Sequence, residues 1–191
     1  MTLVLTTERL LLRPLSLDDL DLAVELFTDP EVVQYVCDVM TPDSIEQALP
    51  TYIKRCGGGC IGVWCITETS SNQKLGTVAL LPLPIELDDT DWSLLEGPGI
   101  PDGDIETGYF LKKLAWGKGY ATEAVNRILR FAFENTPLQE IVATLDDENY
   151  KSRNVLEKAG LREVGKRFCY AEANCPDLRI TKEEWLERTA I

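Results

Sequence analysis

The fold of this chain is decided by the stretch Trp116-Gly117-Lys118-Gly119-Tyr120-Ala121-Thr122, which joins a predicted strand to a predicted amphipathic helix. Glycine lets a backbone approach a ligand closely. The N–H groups that begin a helix lack intrahelical partners and lie at the positive end of its dipole, which suits a pyrophosphate. Lys118 would add positive charge. Since two glycines also form ordinary turns, phosphate binding depends on what surrounds this loop.

The elements around the loop alternate between strand and helix over the second half of the chain. A strand is predicted at 105–111 and a helix at 120–134, whose apolar residues recur at helical spacing. The later predicted elements are a strand at 140–145, a helix at 148–158, strands at 161–168 and 178–181, and a final helical turn at 182–188. This alternation predicts an α/β fold.

The first half of the chain predicts an opening strand, two helices and a hairpin. The strand covers 7–13, Ser16 and Asp19 begin the first helix in a capping-box-like arrangement, and Thr41 precedes the second. Two apolar runs at 60–67 and 74–81 are separated by a turn. The segment 82–104, rich in Pro, Asp and Gly, is interpreted as a tolerated surface insertion, with a substrate rim or a dimer contact as the alternative.

Length and composition predict one compact domain over residues 1–191. The chain has 191 residues, of which 45% are hydrophobic, enough to bury a single core. Residues 1–15 alternate polar residues with leucines and resemble neither a signal peptide nor a membrane span. A soluble, cytoplasmic protein without a membrane partner is therefore expected.

The charge and the missing residue types narrow the chemistry. The chain contains no histidine and its six cysteines form no Cys-x-x-Cys pair, so no metal site is expected. Proton transfer then falls to Glu, Asp, Tyr, Ser, Lys or water. A net charge of -13 argues against a nucleic-acid partner and suits a cationic or amine substrate, although acidity also serves solubility.

Two linked motifs carry a family resemblance. The segment Glu106-Thr107-Gly108-Tyr109-Phe110-Leu111 with the glycine loop, and then Asn149-Tyr150-Lys151-Ser152 with Val155-Leu156-Glu157-Lys158-Ala159-Gly160-Leu161, resemble the RimJ/RimL branch of the GNAT N-acetyltransferases. The resemblance is strong over 106–161 and only general over 30–100. Trp116 stands where the wider family has Gln or Arg, a replacement common in that branch.

The resemblance implies a mixed central sheet of about six to seven strands, splayed in a V and flanked by helices. Acetyl-CoA would bind with its pantetheine arm in the gap like an extra strand. Phe110 and Leu111 would bond that arm through their backbone, and Asn149 would contact the arm or the thioester. The pyrophosphate would lie on the amides of Gly117, Gly119, Tyr120 and Ala121, within a loop completed by Trp116, Lys118 and Thr122.

The implied reaction moves an acetyl group from acetyl-CoA to a primary amine by direct attack in a ternary complex. The acceptor is either a protein N-terminal amine or a small amine, and the protein is a monomer or a homodimer. By the period-two geometry of a strand, Glu106 shares a face with Gly108 and Phe110, where it is a candidate base acting directly or through water. A structural carboxylate is the alternative. An N–H near Phe110 or Leu111 is the expected oxyanion donor.

The proton donor for the departing thiolate is a separate question. Many GNAT enzymes place a tyrosine seven residues after the motif asparagine, where this chain has Leu156. The RimJ/RimL resemblance implies Ser152 instead, with Tyr150 or water as further candidates. The hydroxyl of Ser152 would otherwise bond its own helix backbone, as is common early in helices.

Two other functions are open to the cofactor loop. A catalytically silent acyl-CoA-binding or scaffold protein would keep the loop, and the missing tyrosine permits it. A dinucleotide-binding oxidoreductase is disfavoured because Thr122 occupies the third glycine position and no ribose-binding acid follows.

Overall fold

The computed structural model describes residues 2–190 and shows one eight-stranded sheet with helices on both faces. Its strands lie in the order β1-β2-β3-β4-β5-β6-β8-β7. The strands are β1 (Leu5–Thr6), β2 (Leu10–Pro14), β3 (Gly62–Glu68), β4 (Lys74–Pro82), β5 (Ile105–Leu111), β6 (Glu140–Ala143), β7 (Arg162–Cys169) and β8 (Glu172–Thr181).

Six α-helices accompany the sheet in the described part of the chain. They are α1 (Leu20–Phe27), α2 (Pro30–Val33), α3 (Pro42–Tyr52), α4 (Tyr120–Asn135), α5 (Tyr150–Ala159) and α6 (Lys182–Thr189). Between residues 2 and 190, no helix has both the length and the apolar character that crossing a bilayer requires.

The expected mixed α/β fold is confirmed, with more strands than the six to seven expected. The strand predicted at 7–13 is β2, which begins only at Leu10, and β1 precedes it outside the predicted range. Strand β8 begins at Glu172 rather than at residue 178. Helix α5 begins at Tyr150 rather than at residue 148, because the side chain of Asn149 caps it by accepting from the N–H of Ser152.

The core lies on both faces of the sheet, as the alternation of strand side chains requires. On one face, α4 packs its apolar stripe against the strand side chains that point toward it, among them Trp64 and Ile66 of β3. On the other face, α1 and α3 cover Val63 and Cys65 of the same strand. Burying a leucine-sized side chain contributes roughly 1.5–3 kcal/mol, so both helix layers hold the sheet firmly.

The sheet opens between β5 and β6. These two strands run parallel, joined by α4 as the crossover helix, whereas all the other neighbouring strands in the described sheet pair antiparallel. Their pairing is confined to Glu106 opposite Val142. Beyond Glu106 the strands diverge, so within residues 2–190 the edge of β5 that leads to the glycine loop has no strand partner on that side.

The segment 82–104 is tied into the fold, which corrects its interpretation as a tolerated surface insertion. It contains a 3-10 turn over Trp92–Glu96, and Leu95 in that turn is only 2% exposed within the main core. The N–H of Gly57 donates to the carbonyl of Gly99, and the N–H of Tyr170 donates to the carbonyl of Pro84. A few apolar anchors, hidden in a composition rich in Pro and Asp, suffice to dock it.

Candidate active site

The glycine loop presents a row of backbone N–H groups. Gly117 and Gly119 have φ of 71° and 82°, in the left-handed region that favours glycine. The first intrahelical bond runs from the N–H of Glu123 to the carbonyl of Gly119. Within residues 2–190, the N–H groups of residues 117–122 have no hydrogen-bond partner. We call this set of N–H groups the anion cradle, because unpaired amides at the N-terminus of a helix are suited to bind an anion.

A cluster of hydrogen bonds from the turn at residues 7–9, which we call the N-terminal grip, holds this cradle in place. The carboxylate of Glu123 accepts from the Thr7 hydroxyl at 2.6 Å and from the Arg9 backbone N–H and Nε at 3.0 and 2.7 Å. The guanidinium of Arg9 also donates to the carbonyl of Lys118 at 3.0 Å and lies 4.5 Å from the ring centroid of Tyr120. Sequence reasoning missed this grip because its partners lie 114 residues apart.

The backbone groups of β5 that face the gap between β5 and β6 are not all those that were expected. The carbonyl of Phe110 faces β4, so closely that a Cβ on Gly76 would lie 2.1 Å from it. Because the N–H and C=O of one strand residue point to the same side, it is Tyr109 and Leu111 whose backbones face the gap. The expectation that the Phe110 backbone lines the gap is therefore wrong. Its ring packs against Phe27 instead, at 5.1 Å between centroids.

Glu106 lies at the point where the strands diverge, with its carboxylate buried. It is 7% exposed, and the hydroxyl of Tyr170 donates to its Oε1. Burial raises the pKa of Glu106 to about 7, although the Tyr170 hydrogen bond and the charge of Arg167 oppose the rise and the charge of Asp89 adds to it. A carboxylate with a pKa near neutrality is suited to accept a proton from an amine.

Ser152 lies in the first turn of α5 and contacts Tyr109 on the face of β5 opposite to Glu106. Its Oγ is 2.9 Å from the hydroxyl of Tyr109, so its hydroxyl is not bonded to its own helix backbone. Its N–H is held by Asn149 Oδ1 at 3.1 Å. Burial raises the pKa of Tyr109 to about 12, so that phenol stays protonated. Leu156 is 2% exposed, which places the usual tyrosine position in the core.

An open space lies over Gly108, between Glu106 and Phe110 on the α1 and α3 face of β5. A Cβ added at Gly108 would meet no atom within 4 Å. Trp92 in the docked segment 82–104 donates its Nε1–H to Asp89 at 3.3 Å. Ring contacts with centroids 5.1–5.9 Å apart connect Phe110, Phe27, Tyr52 and Trp92 in sequence. We call this space, with its aromatic wall and Asp89, the acceptor cleft.

The structure places the two predicted catalytic side chains on either side of β5 and adds partners that sequence reasoning missed. Glu106 and Ser152 flank β5 from opposite faces, and each hydroxyl or carboxylate is bonded to a tyrosine. Tyr109 could have been found from its position on β5, because its odd number places it on the opposite face of the strand from Glu106. Tyr170 carries no local signal, since it lies in a turn 64 residues away from Glu106.

Thr107 is a further group of β5 that the sequence did not single out. Its Oγ1 is buried and has no hydrogen-bond partner within residues 2–190. A buried hydroxyl without a partner is costly in a folded protein. Like the N–H groups of the loop, it is a polar group that the described part of the chain leaves without a hydrogen bond.

Comparison with known proteins identifies what this arrangement resembles. Residues 9–162 match the family model described as the acetyltransferase (GNAT) domain. The FsC-acetyl coenzyme A-N(2)-transacetylase of Aspergillus fumigatus is 28% identical over 192 residues, which cover 95% of this chain and 77% of that relative.

Solved structures share the fold at lower identity. A GNAT-family acetyltransferase from Bacillus anthracis has a TM-score of 0.72 at 22% identity, covering 94% of this chain and 99% of that chain. The spermidine N-acetyltransferase of Vibrio cholerae, in complex with CoA and spermine, has a TM-score of 0.69 at 19% identity, with coverage of 94% and 99%.

Proposed function

This chain belongs to the acetyltransferase (GNAT) domain family, and we propose that it moves an acetyl group from acetyl-CoA to a primary amine by direct attack in a ternary complex. Acetyl-CoA-dependent acetyl transfer is the activity of the family. The observation that supports this proposal is the anion cradle of residues 117–122 beside the divergence of β5 and β6, with Glu106 on one side of the gap and Ser152 on the other.

The residues present fit acetyl-CoA. The unpaired amides of the loop would hold its pyrophosphate, and the Leu111 and Tyr109 backbones would line its pantetheine arm. Within residues 2–190, the Nδ2 group of Asn149 has no protein partner, so it is available to the same ligand. Acetyl-CoA supplies the activated thioester. The loop side chains Trp116, Lys118 and Thr122 would frame the cradle.

Glu106 would act as the base. An amine must lose a proton to become an amide nitrogen, and the buried Glu106 carboxylate would accept that proton directly or through one water. With a pKa of about 7, it is both ionised often enough and basic enough to do so near neutral pH. The N–H of Leu111, which faces the gap, would donate to the negative charge that develops on the reacting oxygen.

Ser152 would return a proton to the departing thiolate. Its hydroxyl is bonded to a Tyr109 phenol that remains protonated at neutral pH, so the pair forms a two-hydroxyl chain that leads to the gap. A serine alone is a weak acid, and a hydrogen bond from the Tyr109 hydroxyl to its oxygen would stabilise the charge left when the proton departs. Water would then restore the proton of Ser152, and Glu106 would release to water the proton taken from the amine.

For the acceptor we propose a small, positively charged amine. The acceptor cleft combines aromatic rings with the carboxylates of Glu106 and Asp89, a setting that stabilises cations. The solved relative from Vibrio cholerae that carries spermine is a spermidine N-acetyltransferase. The resemblance of residues 106–161 to the RimJ/RimL branch makes a protein N-terminal amine the second acceptor class.

The first experiment separates an enzyme from a silent CoA-binding protein. Thermal unfolding of the pure protein is followed with and without acetyl-CoA, and thiol release is then measured with small polyamines and with peptides that begin in Ala or Ser. We expect stabilisation by acetyl-CoA and release with at least one amine. Stabilisation without release would favour the silent protein, and no stabilisation would refute the proposal.

A Ser152→Ala variant tests the proposed acid. Because Ser152 is placed on the leaving-group side, we expect kcat to fall about 100-fold while the affinity for acetyl-CoA changes little. The comparison variant Ser93→Ala removes a hydroxyl in the exposed 3-10 turn and should leave both unchanged. An equal loss of binding and turnover in Ser152→Ala would show that Ser152 is a binding residue rather than the acid.

A further inference from the structure

The turn between β7 and β8 is unusual for its residues. Cys169 and Glu172 pair directly, so Tyr170 and Ala171 alone form the turn, with φ of 54° and 55°. Two-residue hairpin turns with two left-handed positions favour Asn-Gly, and other residues are strained there. A tyrosine and an alanine in this turn must therefore be held by contacts elsewhere.

Those contacts come from the beginning of the segment 82–104. The N–H of Tyr170 donates to the carbonyl of Pro84, and the N–H of Ala171 donates to the carbonyl of Ile85, both at 3.0 Å. The preceding Cys169 is fully buried in a small cluster with Leu83 and Val142. The hairpin tip is thus docked beside the residue of β6 that pairs with Glu106.

The docked tip directs the phenol of Tyr170 at Glu106. Three groups from three elements act on that carboxylate. Tyr170 from the turn is bonded to it, and the charges of Arg167 from β7 and Asp89 from the segment 82–104 affect its pKa. Arg167 is already bonded to Asp104 at 2.6 Å. Among the side chains of residues 2–190, Tyr170 is the one that donates a hydrogen bond to Glu106. Burial raises the pKa of Tyr170 far above its ordinary value, so its hydroxyl keeps the proton that it donates.

We propose that Tyr170 is a positioning residue of the reaction, which binds Oε1 of Glu106 and thereby turns Oε2 toward the acceptor cleft as the oxygen that receives the amine proton. This inference rests on the proposed function. Tyr170 neither gains nor loses a proton in the cycle. Its hydrogen bond fixes the orientation of the ionised Glu106 carboxylate and stabilises the ionised form against the effect of burial.

The experiment compares Tyr170→Phe with the wild type in kcat/KM for an accepted amine from about pH 6 to about pH 9. Without the hydrogen bond, only the charge of Arg167 opposes the effect of burial on the pKa of Glu106. The acidic limb of the pH profile of kcat/KM should therefore move up by about one pH unit. At neutral pH kcat/KM should fall about tenfold. The KM for acetyl-CoA should stay unchanged, since the cradle lies at the other end of β5.

Tyr109→Phe is the matched control. It removes a buried hydroxyl from the opposite face of the same strand, where it touches Ser152 and not Glu106. Its acidic limb should coincide with that of the wild type. If Tyr170→Phe folds, binds acetyl-CoA and keeps the wild-type acidic limb, the inference is wrong. A merely structural tyrosine would lower activity at every pH without moving the limb.

Ala171→Gly keeps the test decisive if Tyr170→Phe is unstable. Glycine relieves the strain at φ of 55°, which is worth about 1 kcal/mol, while leaving the phenol in place. The double variant Tyr170→Phe/Ala171→Gly is then compared with Ala171→Gly alone, and the same shift of the limb is expected. If the wild type acetylates no amine, the proposed function fails. If the wild type acetylates an amine and the acidic limbs of the compared variants coincide, the proposed function stands and only the role of Tyr170 is wrong.

Discussion

At the scale of single residues, burial of Glu106 links catalysis to stability. A buried carboxylate loses hydration, which favours its neutral form and raises its pKa from 4.5 to about 7. The folded state therefore binds the proton more tightly than the unfolded chain does. The contribution of Glu106 to stability is fully present below about pH 4.5 and is lost as the pH rises to about 7.

Replacing Glu106 with Gln should accordingly stabilise the protein while abolishing its activity. The amide carries no charge to desolvate, so the free energy of unfolding at about pH 8 should rise by up to about 3 kcal/mol. At about pH 5.5 the gain should shrink. Urea denaturation at both pH values measures this, with exposed Glu86→Gln as the control for the loss of one negative charge. A gain that is equal at both pH values would contradict the burial of the charge.

At the scale of elements, the cofactor loop depends on two parts of the chain that meet. Glycine in the left-handed region shapes the loop, and the turn before β2 fastens the start of α4 through Arg9 and Glu123. Their carboxylate and guanidinium are partly exposed, so the pair itself stabilises the fold only modestly. Its larger effect is to fix where the free N–H groups point.

Gly119→Val should therefore weaken acetyl-CoA binding. A β-branched residue is strained at φ of 82°, whereas its Cβ would only come into contact with Arg9 Nη2 at 3.4 Å. The strain therefore falls on the backbone that forms the end of the cradle. We expect the Kd to rise at least about tenfold, since a 1.4 kcal/mol loss has that effect. Calorimetric titration with acetyl-CoA gives the value.

Gly103→Val is the control for backbone strain alone. Gly103 has φ of 96° and an added Cβ there meets nothing within 4 Å. Both variants should lose thermal stability, whereas only Gly119→Val should lose affinity. If Gly103→Val loses affinity to the same extent, the effect comes from general destabilisation and not from the cradle.

At the scale of the whole molecule, the acceptor cleft is assembled from three distant segments. Strand β5 provides the floor with Glu106 and Gly108, helices α1 and α3 provide one aromatic wall, and the segment 82–104 brings Trp92 and Asp89. The charge of Asp89 raises the pKa of both Glu106 and Tyr52, so a cation near these two groups would also feel its attraction. A net charge of -13 adds a long-range attraction for cations.

Asp89→Asn should raise the KM for a diamine about threefold and leave the KM for a monoamine unchanged. The carboxylate is exposed, and an exposed pair contributes about 0.2–1 kcal/mol, which limits the size of the effect. Steady-state kinetics at low and high salt measures it. Asp88→Asn, at an exposed neighbour, changes the net charge equally. If both variants raise the KM alike, the field of the whole molecule attracts the acceptor and not Asp89.

What the sequence determined by itself is the local chemistry. The glycines of the loop, the helical spacing in α4 and the alternation along β5 all depend on neighbours within a few residues. These features predicted the strand, the glycine loop and the helix of the candidate cofactor site, and the family resemblance added the fold and Ser152. They also predicted that Glu106 and Phe110 share a face of β5, on which the Phe110 ring packs with α1.

What only the tertiary structure decided is how those side chains are held. The bond from Tyr170 to Glu106 spans 64 residues, that from Tyr109 to Ser152 spans 43, and that from Arg9 to Glu123 spans 114. The hydrogen bonds that dock the segment 82–104 likewise join residues that are distant in the sequence. Such contacts leave no periodicity in the chain, because their energy exists only after the sheet has brought the partners together.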